Sequence, residues 1–255
     1  MAAPFLLAQI SDPHLGEKAK HGVKSKACLR AVVAALGRVP DPIGAVLVTG
    51  DVSEHGSKKE YALARELIGE LGVPIYVLPG NHDDRATMRA SFGIPGEGDA
   101  VIDYAVDLGP LRLVVIDSMI PGEDRGGFDQ GQLERFDGEL AASPKPAIVA
   151  MHHPPLVTTM PDWDNVIMPP AEREVLAAVI ARHPQVKAIV GGHLHRVTVS
   201  TLAGRPVLAA PCTYLPVRPD FGAETVTSYG GPPGFAIHAL RGEELATQVE
   251  ILTDA

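Results

Sequence analysis

The chain has 255 residues, 45% of them apolar, which is enough to bury a sizeable core in one large domain. Its formal net charge is −9 with no dense Lys/Arg run, which argues against gripping a nucleic-acid polymer, where several phosphates must be neutralised at once. No apolar run approaches the roughly 18 to 20 residues of a membrane helix, and the apolar start from Met1 to Ile10 lacks a basic leader, so a cytoplasmic chain without membrane contact is expected.

In chain order, Phe5 to Ile10 reads as a strand and Ser25 to Leu36 as a helix with Ala, Leu and Val on one side. Ile43 to Thr49 is a buried strand, and Ser57 to Leu71 a helix opened by a Ser57/Glu60 capping box. Pro74 to Leu78 follows as a strand and Asp84 to Ala90 as a short helix. Val101 to Asp107 and Leu111 to Asp117 form a hairpin across Leu-Gly-Pro. Asp129 to Leu140 is a helix, Ala147 to Met151 a strand, Pro170 to His183 a helix and Val186 to Val190 a strand. Val197 to Leu202, Arg205 to Ala210, Gly234 to Leu240 and Leu245 to Leu252 complete the chain as short strands. This alternation predicts an α/β layered fold with mixed sheets, in one domain over residues 1–255. The irregular stretch from Pro211 to Pro233 is expected to be a lid or a homo-oligomer contact. Cys28 and Cys212 lie outside every motif and are expected as free thiols.

Five clusters end apolar runs: Asp12-Pro-His14, Gly50-Asp51, Gly80-Asn81-His82-Asp83, His152-His153-Pro154 and Gly192-His193-Leu194-His195. They hold six of the ten histidines at predicted strand ends, where an α/β fold gathers its active site. Asp12 and His14 are two apart, as are His193 and His195, so strand alternation is expected to put each pair on one face. Gly50 allows a sharp turn and close approach, and Asp51 after it is placed to bridge two cations. Asn81 is a neutral oxygen donor; His152 is the donor of its pair, with His153 turned elsewhere. Nitrogen and oxygen donors without a thiolate suit two transition-metal ions acting on a phosphate ester.

In this order the motifs resemble those of the calcineurin-like metallophosphoesterases, over about residues 8 to 196. The Gly-Asn-His-Asp-Asp run and the His-His-Pro-Pro turn look like the bacterial class III cyclic-nucleotide phosphodiesterases and their glycerophosphodiesterase relatives. The resemblance implies a four-layer α/β/β/α sandwich. It assigns Asp12, His14 and His195 to one metal and Asn81, His152 and His193 to the other, with Asp51 bridging; iron, manganese, zinc or cobalt fill such sites. The expected reaction is metal-dependent hydrolysis of small phosphodiesters, including 3′,5′-cyclic nucleotides such as cyclic AMP, with glycerophosphodiesters or a broader diester range as the second reading. Gly50-Asp51-Val52-Ser53-Glu54-His55-Gly56 departs from the Gly-Asp-x-x-Asp-Arg-Gly of protein phosphatases, and Met168-Pro169-Pro170 stands where relatives tend to carry a polar pair.

His82 is the candidate catalytic side chain, hydrogen bonding the phosphoryl oxygen or protonating the leaving alkoxide. Asp83 is read as orienting it, as a solvated surface carboxylate, or as capping the following helix. Lys18, Lys20, His21 and Lys24 form a basic loop at the mouth of the site, read either as receiving the anionic substrate or as a solvated loop. Trp163, Tyr214, Phe221 and Tyr229 are aromatics able to stack on a base or line an alcohol pocket. From another class, a metal-stabilised binding module without turnover would use the same ligands and lose nothing when stripped except stability.

Overall fold

Strands that are apolar on both faces must be covered twice, and the side chains of this protein alternate between two such covers. A computed structural model describes residues 3–18, 20–129, 131–222 and 229–253. Strands β1 (Phe5–Ile10), β2 (Ile43–Thr49) and β3 (Ile75–Leu78) run parallel and are extended by β10 (Gly234–Arg241) and β11 (Glu244–Ile251) in the order β11-β10-β1-β2-β3. The second sheet has the order β4-β5-β6-β7-β9-β8. Its members are β4 (Tyr104–Leu108), β5 (Leu111–Val115), β6 (Ala147–Ala150), β7 (Val186–Gly191), β8 (Thr198–Leu202) and β9 (Arg205–Ala209), and β4 and β8 are its antiparallel edges.

Leu7, Ala45 and Leu47 of the first sheet meet Leu113, Ile148, Ala150, Ala188 and Val190 of the second in a core between the sheets. The alternate residues Ala8, Ile10, Val46 and Val48 face outward and are covered by α1 (Ser25–Leu36) and α2 (Lys58–Gly69) through Leu29, Val32, Leu36, Tyr61 and Leu67. On the far side, Val149, Ile189 and Val207 are covered by α4 (Gln132–Ala141) and α6 (Pro170–Ile180) through Phe136, Leu140, Leu176 and Ile180. The result is the expected α/β/β/α sandwich.

The capping box predicted for α2 is present: Ser57 accepts from the Glu60 amide, and the Glu60 carboxylate accepts from the Ser57 amide. Two short helices flank the site, α3 (Arg85–Phe92) and α5 (Pro161–Val166). The sequence analysis assigns no element to Pro161–Val166; it is under two turns long, and its start signals were Pro161 at the first position and Asp162 and Asp164 in the first turn. Cys28 and Cys212 are free thiols, as expected. No described helix is long and apolar enough to cross a membrane.

Because β1, β2, β3, β6 and β7 are parallel within their sheets, their C-terminal ends reach the loops that carry the five clusters. One polar chain crosses between the sheets beneath those loops. Gln9 donates through Nε2 to Thr49 Oγ1 at 2.9 Å and to the Gly191 carbonyl at 3.0 Å, and its Oε1 lies 3.0 Å from His238 Nε2.

Candidate metal centre

The loops at these strand ends are left-handed where the ligands sit. Asp12, His14, Asp51, His193 and His195 have φ of 51°, 41°, 47°, 68° and 51°. A non-glycine residue pays roughly 1 to 2 kcal/mol for this conformation, and such strain persists where surrounding structure fixes it for a function. It also corrects the expectation from strand alternation. β1 ends at Ile10 and β7 at Gly191, before either pair, so Asp12 and His14, and His193 and His195, converge through paired left-handed turns and not through the pleat. Hydrogen bonds between loops lock the turns: the Asp12, His14 and Leu15 amides donate to the carbonyls of Gly50, Asp51 and Val52. Gly50 (φ 84°) permits the close approach the sequence suggested, since a Cβ there would collide with His152 Nδ1.

Each predicted histidine ligand has one ring nitrogen occupied by an acceptor. Nδ1 of His14 faces the Glu54 carboxylate at 3.1 Å, Nδ1 of His152 the Thr49 carbonyl at 2.9 Å, Nδ1 of His195 the Leu215 carbonyl at 3.0 Å, and Nε2 of His193 the Val166 carbonyl at 3.0 Å. An acceptor requires that nitrogen to carry the proton, so the other nitrogen presents a lone pair. In His14 and His195 the two lone-pair nitrogens are 3.0 Å apart. His152 Nε2 lies 3.2 Å from Asn81 Oδ1. Asp51 Oδ2 stands between the two groups, 3.3 Å from His14 Nε2 and 3.4 Å from His152 Nε2, while its Oδ1 accepts from the His82 amide at 3.0 Å. Asp12 is fixed by Ser11 Oγ at 2.6 Å and by the His193 amide at 2.9 Å. Acceptors converging on acceptors repel unless a cation or a proton lies between them, so the donor set fits metal ions.

The fold thus brings all seven predicted ligands together: Asp12, His14, Asp51 and His195 have ligand atoms within 4.8 Å of one another, and Asn81, His152 and His193 adjoin them. His153 also lies close to His152 and His193, and all three are buried with ligand atoms within 4.8 Å of one another. Ser118 Oγ accepts from the His153 amide at 3.1 Å and lies 2.9 Å from His153 Nδ1.

The electrostatics agree. Burial pushes the Asp51 carboxyl up, but His152 and His14 beside it override this and hold it well below the usual carboxylate range. Burial likewise opposes charge on His152, and the Asp51 carboxylate prevails, raising it to about 9. His14 is raised against burial by Asp51 and Glu54. The field that would put protons on these rings is the field that attracts metal cations. His193, buried and next to His152, is pushed down to about 3 and stays neutral.

These groups open into a cavity of about 360 Å³. His82 lines it with an exposed ring 4.7 Å from that of His14, centroid to centroid, and its Nδ1 is 3.4 Å from the Glu54 carbonyl. Asp83 has none of the roles expected of it: it does not hold His82, is not at the surface and does not cap the helix. It is buried and accepts from the amides of Gly80, Val52 and Ser53 and from the Tyr61 hydroxyl, so it pins the Asn81 turn to the Asp51 loop. Burial and the Asp51 charge raise its carboxyl to about 6. The helix cap belongs to the next residue, Asp84, which accepts from the Thr87 amide.

The sequence analysis missed Glu54, which holds His14 and pairs with Lys20. Its signal was its place three residues after Asp51, on the same loop. The carbonyls of Thr49, Val166 and Leu215 carry no side-chain signal at all. Of the basic loop, Lys20 and His21 reach the cavity; Ala19 lies outside the described residues. Of the aromatics, Trp163, Tyr214 and Tyr229 line the cavity, and Phe221 is 65% exposed away from it. In the late loop, residues 211–217 form a largely buried wall, with the Thr213 amide on the Ser11 carbonyl and the Val217 amide on the His195 carbonyl; residues 223–228 lie outside the described residues.

The profile of a family described as Calcineurin-like phosphoesterase matches residues 5–197. The chain is similar to the glycerophosphodiester phosphodiesterase GpdQ of Enterobacter lignolyticus, 31% identical over 94% of this chain and 88% of that one. It is as similar to the 3′,5′-cyclic adenosine monophosphate phosphodiesterase CpdA of Pseudomonas aeruginosa, 31% identical over 91% of this chain and 84% of that one. Among solved structures, a dimetal phosphatase from Danio rerio superposes with a TM-score of 0.73 at 16% identity, covering 97% of this chain and 96% of that one, a likeness of fold.

Proposed function

This chain belongs to the calcineurin-like phosphoesterase family and is a metal-dependent phosphoric diester hydrolase, and we propose that it acts through two transition-metal ions on small phosphodiesters that include 3′,5′-cyclic nucleotides. Asp12, His14 and His195 would hold one ion and Asn81, His152 and His193 the other, with Asp51 placed to be shared between them. The observation that carries this reading is Asp51 Oδ2, set 3.3 Å and 3.4 Å from the lone-pair nitrogens of two histidines on opposite sheets. Iron, manganese, zinc and cobalt all accept such nitrogen and oxygen donors. Two bound cations supply Lewis-acid activation of water and of the phosphoryl group.

The protein's own groups do the rest. Glu54, Thr49, Leu215 and Val166 fix the rings so that the lone pairs point inward. His82, rooted by its amide on Asp51 and with its ring in the cavity, donates a hydrogen bond to a phosphoryl oxygen or a proton to the departing alkoxide. Tyr214, Leu215, Val217 and the Lys20–His21 turn line the cavity in which the ester would sit.

Cyclic AMP is the first substrate to try, and similarity of equal degree to GpdQ supports glycerophosphodiesters as the second. Metal-stripped protein, reconstituted with manganese or zinc, should hydrolyse cyclic AMP, a glycerophosphodiester and bis(p-nitrophenyl) phosphate faster than a monoester. Equal turnover with and without metal, or monoester preference, would overturn the assignment.

A further inference from the structure

At the mouth of the cavity, Lys20, His21, Gly22 and Val23 close a two-residue hairpin. The Val23 amide donates to the Lys20 carbonyl at 2.9 Å, and the Lys20 amide to the Val23 carbonyl at 3.2 Å. Both tip residues have positive φ, 48° at His21 and 77° at Gly22, the pattern of a type I′ turn. Asn is the residue most often found at this first tip position, and here a histidine takes it.

The hairpin is firmly placed. The Tyr214 hydroxyl accepts from the Lys20 amide at 2.9 Å and donates to the Val23 carbonyl at 3.2 Å, and Lys20 Nζ pairs with Glu54, which holds His14. This fixes the His21 ring against Tyr229 from the late loop, with centroids 5.0 Å apart and planes 24° from parallel. Tyr229 is itself anchored through the bridge between Val217 and Tyr229. Both rings line the same cavity as His82 and the metal ligands, and Trp163 lines it too.

Resting on the phosphodiesterase reading above, we infer that His21 and Tyr229 form a stacking platform that selects esters carrying a planar heteroaromatic group, a nucleobase, over glycerol esters. A glycerol arm has no π-face to meet it.

The test is discrimination, read in manganese-loaded full-length protein. Stacking of one base on an aromatic ring is worth about 1–3 kcal/mol, so Tyr229→Leu should lower the ratio of kcat/KM for cyclic AMP over that for glycerophosphoethanolamine by roughly 5- to 150-fold. His21→Asn, which keeps the left-handed tip, should move the ratio in the same direction through KM. Calorimetric binding of AMP against glycerol 3-phosphate should show the same lost preference without turnover. Equal losses on both substrates, an unmoved ratio, or a larger loss on the glycerol ester would overturn the platform. Wild-type protein inert toward every diester while AMP binding still depends on Tyr229 would instead overturn the hydrolase reading and leave the platform standing.

Discussion

His238 offers a prediction that does not depend on metal at all. It is fully buried in β10, with Nε2 3.0 Å from Gln9 Oε1 and Nδ1 2.8 Å from Thr247 Oγ1. The Gln9 amide spends its donors on Thr49 and Gly191, so His238 Nε2 carries the ring proton and Nδ1 accepts from Thr247. Burial pushes the imidazole from 6.5 down to about 4. Between these values the unfolded chain binds the proton and the native protein does not, so stability rises with pH and is lost as pH falls through this window. At 1.36 kcal/mol per unit, the loss relative to pH 8 is about 2 kcal/mol at pH 5 and about 3 kcal/mol at pH 4. Urea unfolding of wild type and His238→Gln, both in chelator so that the metal site contributes equally, isolates the term. The advantage of wild type over the variant should shrink by about 2 kcal/mol between pH 8 and pH 5. A constant difference across that range would refute the neutral, buried imidazole.

His82→Ala should keep both metals by elemental analysis yet lose about 10²- to 10⁴-fold in kcat; metal loss would make it a ligand. Glu54→Gln weakens the hold on His14, and metal affinity measured by competition with a chelating dye should fall about 10- to 100-fold; unchanged affinity would remove Glu54 from the site's support. In Gly80→Ala the new Cβ collides with the Asp51 carboxylate and amide, so metal uptake should be lost while far-UV circular dichroism is retained; normal uptake would show that the Asp51 loop yields.

What the sequence disclosed and what it concealed divide along physical lines. Apolar runs such as Ala45 to Val48 and Ala147 to Ala150 announce strands covered on both faces, and their polar ends announce the site, because burial and chemistry both act through side-chain identity. The route by which Asp12 and His14 converge was not legible, since a left-handed φ at an aspartate or histidine leaves no compositional mark. Nor were the carbonyls of Thr49, Val166 and Leu215, which every residue type possesses equally. Asp83 misled because a carboxylate beside a candidate acid suggests partnership, whereas three main-chain amides had already claimed it.

The seven donors are divided between the sheets: Asp12, His14, Asp51 and Asn81 extend from one, His152, His193 and His195 from the other. Cations seated among them would act as a clasp across the seam of the sandwich. Without that clasp, this end is joined by a few polar threads such as Gln9 to Gly191, His152 to Thr49 and the His193 amide to Asp12. Free energy of metal uptake is therefore also free energy of keeping the two halves shut.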